Sequence, residues 1–70
     1  MSFAEQAVQK AGGLKALALI LEVDYQKAQR WRSVGYVSSY RDCVKIADYL
    51  RVPLSDVVME RAEKLGEQKT

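Results

Sequence analysis

The stretch Leu14–Ser33, LKALALILEVDYQKAQRWRS, decides the fold. Its first half is rich in Ala and Leu, and Leu14, Leu17, Ala18 and Leu21 share one face of a helix of 3.6-residue period. Asp24 then offers an N-cap, because its side-chain oxygen can accept from a first-turn N–H. A second helix is predicted from Tyr25 to about Ser33, with Ala28 and Trp31 as its apolar positions and Gly35 as its stop. Two helices joined by so short a turn make a helix-turn-helix. That arrangement needs apolar residues where the helices face each other and a small residue where they cross. Leu17, Leu21, Val23, Ala28 and Trp31 supply the first, and Ala18 supplies the second.

The pattern extends outward in both directions. Upstream, Ser2 stands three residues before Glu5, the spacing of a capping box, and Phe3, Ala4, Ala7, Val8 and Ala11 recur at helical intervals. Gly12 and Gly13 end that helix, since Gly enters the left-handed cap conformation at least cost. Downstream, Ser38 or Ser39 caps a fourth helix with Tyr40, Cys43, Val44, Ala47 and Leu50 along one stripe. Pro53 marks the next boundary, because the residue before Pro disfavours the helical region. A fifth helix follows from about Leu54, with Leu54, Val57, Val58, Ala62 and Leu65 facing inward and Gly66 as its stop. No sustained period-two run is visible. The expected class is all-α: five short helices in one domain over residues 1–66, with a frayed tail at 67–70.

Composition narrows the function. The chain has 70 residues, no His and one Cys. A Ser-His-Asp or Cys-His machine is therefore excluded, and a conventional zinc site lacks its ligands. No nucleophile–base pair or cofactor loop is visible, so neither an enzyme nor a cofactor or metal is expected. Asp42, Asp48 and Asp56 have no metal-site spacing, and Glu60 and Lys64, four apart, read as a helix-surface pair. A lone Cys suits a reducing cytoplasm. No membrane span or signal peptide is expected either. The net charge of +2 becomes informative once it is located. Residues 25–41 carry Lys27, Arg30, Arg32 and Arg41 with no acid, whereas residues 42–70 carry five bases and six acids. The second helix of the motif shows Tyr25, Gln26, Lys27, Gln29, Arg30 and Ser33 on its outer side. Gln and Arg can bond bidentately to adenine and guanine edges in a major groove.

At this point the sequence resembles the lambda-repressor-like, Cro-type helix-turn-helix family. YRDCVKIADYLRVPLSDVVMERAEK, and IADYLRVPLSDVV within it, resembles that family's fourth and fifth helices. The resemblance covers roughly Ala7 to Glu63. One departure stands out: the family usually places Gly in the turn, where this chain has Glu22. The resemblance implies that Tyr25, Gln26, Gln29 and Arg30 face base edges. It implies that Lys15, Lys27, Arg32, Ser33, Ser38 and Arg41 face phosphates.

Other residues fit structural roles better. Trp31 faces the preceding helix and belongs to the core rather than to a base-stacking platform. Cys43 lies on an apolar stripe and reads as buried and inert rather than as a redox switch. Tyr36, Tyr40 and Tyr49 read as structural, with Tyr36 and Tyr40 also within reach of a DNA backbone.

The expected function is a sequence-specific, phage- or prophage-type transcriptional regulator, a repressor that occludes its operator. Its partner is double-stranded DNA with a pseudo-palindromic site, and no small-molecule ligand is expected. One short recognition helix reads few base pairs, so a homodimer spanning half-sites about 34 Å apart is expected. Val58, Met59, Ala62 and Leu65 are the expected dimer seam. Two alternatives remain: an antitoxin-like or excisionase-like accessory DNA-binding protein, and a helical protein–protein module that does not bind DNA.

Overall fold

Ser2 begins the first helix as its sequence suggests, accepting the Glu5 N–H through its hydroxyl at 3.1 Å. The computed structural model describes residues 2–68. Their order is α1 (Phe3–Ala11), α2 (Leu14–Leu21), α3 (Tyr25–Val34), α4 (Tyr40–Leu50) and α5 (Leu54–Gln68), with no strand among the described residues. Helix α1 packs on α2, α3 and α4, α2 packs on α3, and α4 packs on α5. None of these helices is long and apolar enough to cross a membrane.

The core is built around one large ring. Trp31 is fully buried, together with Leu17, Val37, Cys43, Ile46 and Val57. Ala4, Ala7, Ala18, Ala28 and Ala47, with Val8 and Leu21, complete the buried cluster. Small side chains on four helices let those helices approach closely around the indole, which suits a chain too short to build a thick core.

The helix ends hold two backbone surprises. Glu22 has φ 58° and ψ 47°, and Arg51 has φ 58° and ψ 46°, both left-handed. Each sits in a Schellman turn: the Val23 N–H donates to the Ala18 carbonyl and the Val52 N–H to the Ala47 carbonyl, both at 3.0 Å. Lys45 adds a second restraint by donating its Nζ to the Leu21 carbonyl at 3.0 Å. The turn therefore takes a left-handed geometry that Gly would adopt at least cost, and Glu22 bears the strain.

Several sequence expectations need correction. Asp24 and Ser39 occupy the N-cap positions of α3 and α4, but neither side chain makes a cap hydrogen bond. The α4 stripe is rotated: Tyr40 is 62% and Val44 43% exposed, while Asp42, Cys43, Ile46 and Ala47 are buried. Ala62 is exposed rather than inward. Gly66 does not stop α5, which continues to Gln68. The rest of the expected frayed tail, residues 69–70, lies outside the described residues.

Glu60 is more than half of a surface pair. Its carboxylate accepts the Phe3 N–H, at 3.2 Å to Oε2 and 3.4 Å to Oε1, and so ties α5 to the first turn of α1. Burial pushes its pKa above the ordinary value of 4.5, while that bond and nearby Lys64 pull the other way. A raised folded-state pKa means that this group's stabilising contribution is present below the unfolded value. It is lost as pH rises through the folded one.

Two predictions come from these contacts. Glu22→Gly should raise stability by about 1 kcal/mol, the relief of left-handed strain less the entropy of a freer unfolded chain; an unchanged or lower denaturation midpoint would contradict a strained turn. Glu60→Gln keeps an acceptor for the Phe3 N–H and removes the half-buried charge. Its melting temperature should match or exceed wild type at pH 7 and converge with it in acid, whereas Glu60→Ala should cost about 0.5–2 kcal/mol.

Candidate nucleic-acid interface

Burial of Ala28 and Trp31 sets the rotation of α3. At 100° per residue, Gln26, Gln29, Arg30 and Ser33 lie opposite those two and face outward. All four are exposed. Tyr25 and Arg32 flank this row on one side, and Lys27 and Val34 flank it on the other. The Tyr25 ring is 48% exposed. Two Gln and one Arg thus share one surface row that holds no carboxylate.

The Tyr25 side opens into two adjoining grooves. One is lined by Gly12, Gly13, Leu14, Lys15, Ala16 and Tyr25. The other is lined by Glu5, Leu14, Tyr25, Gln29, Arg32 and Ser33. The start of α2 and the exposed side of α3 therefore form a continuous surface, on which Lys15, Tyr25, Gln29, Arg32 and Ser33 come together. Glu5 brings one acid to its edge, which the charge map along the chain does not reveal. Ser38 and Arg41 are exposed beyond the C-terminal end of α3. The Ser38 carbonyl is already held by the Nε of Arg61 at 2.9 Å.

Lys27 stands apart from the other cations. Its Nζ lies 3.1 Å from Oδ2 of Asp42 on α4. Asp42 is only 2% exposed. Among the described residues its Oδ2 has no hydrogen-bond donor, so the contact is a Coulombic pair rather than a directed hydrogen bond. The sequence reading missed Asp42 because Tyr40 and Val44 set the wrong phase for α4. Position 42 lies beside Cys43 and four before Ile46, and that spacing was the available signal.

Cys43 is buried, and its thiol donates to the Val37 carbonyl at 3.5 Å. Burial raises its pKa, with the Arg61 charge opposing, so the unreactive thiol is favoured. Among the described residues no three His, Cys, Asp or Glu side chains cluster as a metal site would require. On α5, Met59 and Ala62 are exposed, and Val58 and Leu65 are half-buried. Val58, Ala62 and Leu65 fall in one row with Met59 beside it. A further apolar surface, absent from the sequence reading, is on α2, where Leu19 is 75% exposed and Ile20 lies next to it.

Comparison with models of known protein families, with curated proteins and with solved structures finds no match.

The thiol offers a direct check on the packing of α4. Iodoacetamide at neutral pH should label Cys43 far more slowly than a free thiol, and denaturant should remove the protection. Labelling at the free-thiol rate would contradict its burial.

Proposed function

We propose that the chain is a sequence-specific DNA-binding regulator whose α3 enters the major groove. The observation that carries this reading is the outward row Gln26, Gln29, Arg30 and Ser33, exposed and free of carboxylates. Gln and Arg are the side chains suited to bidentate readout of adenine and guanine, and Tyr25 at the start of α3 lies beside them. Ser33 within the row, with Lys15, Arg32, Ser38 and Arg41 around it, serves as a phosphate contact. Such contacts fix register without reading sequence.

A short helix covers few base pairs, so the working form is a homodimer on a two-fold operator, with half-sites about 34 Å apart. Val58, Met59, Ala62 and Leu65 on α5 make the seam, exposing or half-exposing apolar side chains in one region. Action is by occlusion of the operator, in a reducing cytoplasm that keeps Cys43 a free thiol.

A second reading has its own observation. Leu19 and Ile20 expose apolar surface on the outer side of α2. That surface favours a helical protein–protein module. Titration of duplex DNA at two salt concentrations separates the two, because phosphate-driven binding weakens steeply with salt. No binding at low salt would leave the protein module.

Within the DNA reading, Arg30→Ala should cost about 1–3 kcal/mol and relax preference at one or two base positions. Lys15→Ala should weaken all sequences alike and lower the salt slope by about 1. An Arg30→Ala protein that selects sites as wild type does would sink the assignment of α3.

A further inference from the structure

We infer that Asp42 acts as an internal stand-in for a DNA phosphate: it holds Lys27 and keeps that ammonium out of the nucleic-acid contact. The inference rests on the proposed DNA-binding role of α3 and adds a control on its non-specific affinity. Lys27 is the cation of α3 placed on its α4 side, one step around the helix from the outward row. Its side chain is 47% exposed, so solvent reaches it, yet its Nζ sits 3.1 Å from a carboxylate that is 3% exposed. The two ends of this pair stand in very different surroundings. Among the described residues Oδ2 of Asp42 has no hydrogen-bond donor, so the Lys27 charge beside it is what compensates it. Moving Lys27 onto a phosphate would strand a buried negative charge. That loss exceeds what an exposed lysine–phosphate contact returns in salt solution. Among the described residues Arg30 and Arg32 make no such ion pair, and they remain available to DNA.

The consequence is selective. Non-specific affinity grows with the number of phosphates neutralised, whereas base contacts decide the site. Withholding one cation from the phosphates lowers binding to every sequence and leaves Gln26, Gln29 and Arg30 to discriminate. Asp42 is thus a positioning residue for Lys27, acting at a distance from the base-reading row.

The test uses the full chain and a mixed-sequence DNA duplex, with affinity followed against salt concentration. Three proteins are compared: wild type, Asp42→Asn, and the double variant Asp42→Asn/Lys27→Met, whose net charge equals that of wild type. Thermal melts establish that each is folded. The Asp42→Asn protein should bind more tightly at low salt and show a slope steeper by about 0.9, the signature of one added phosphate contact. Over a fourfold rise in salt, it should lose about threefold more affinity than wild type. The wild type and the double variant should share one slope. An Asp42→Asn slope equal to wild type, or a double-variant slope shallower than wild type by about 0.9, overturns the inference. If neither wild type nor Asp42→Asn binds the duplex at low salt, the DNA reading falls and this inference falls with it. Should Asp42→Asn fail to fold, the Lys27 ammonium NMR signal of the wild type decides. It should keep its position when duplex is added, and a shift on binding would place Lys27 on phosphate.

Discussion

The burial of Trp31 is the constraint on which the rest depends. The indole is fully buried in a cluster that it shares with alanines of α1, α2, α3 and α4, and small side chains of that kind leave room for a large ring. Once Trp31 and Ala28 point inward, the direction of every other residue on α3 is fixed by helical geometry. Gln26, Gln29, Arg30 and Ser33 face outward for that reason alone. Lys27 is turned towards α4, where Asp42 meets it. The proposed recognition surface and its internal restraint are thus two consequences of one packing choice.

The connections impose the second constraint. Left-handed residues end α2 and α4, and neither is Gly. At Glu22 the arrangement is held from outside the turn by Lys45 of α4, and from inside by the bond from Val23 to Ala18. A turn restrained from both sides fixes the angle between α2 and α3. That angle decides whether Lys15 and Tyr25 share a groove. Local strain of about 1–2 kcal/mol is thereby converted into a defined surface.

Much of this was legible along the chain, for identifiable reasons. The bounds of α1 and α2 follow from Ser2, Gly12, Gly13 and a clean helical period, and α3 starts after Asp24 as read, although that side chain makes no cap bond. The burial of Trp31 and Cys43 follows from their place on apolar faces. The rotation of α4 was not legible, because Tyr40 and Val44 are apolar by type yet exposed, while Asp42 is charged yet buried. Residue type predicts burial only on average, and a buried acid is set by a partner distant in sequence. The same holds for Glu60, whose role depends on Phe3, 57 residues away. Gly66 misled for a different reason: a Gly inside a helix costs about 1 kcal/mol, which neighbouring turns can bear. The exposed side chains of the proposed interface were legible as a set. The acid that edges them, Glu5, and the acid that holds Lys27 come from other helices and appear only in three dimensions.

The outward row of α3 has a bearing on how such a chain can change. Its side chains contribute nothing to the buried cluster. Replacements at exposed positions of this kind usually alter stability by no more than about 0.5 kcal/mol. The scaffold and the surface it presents are therefore nearly independent variables. Descendants of this chain can change Gln26, Gln29 and Arg30 one substitution at a time, and none of those steps has to be rescued by repacking around Trp31.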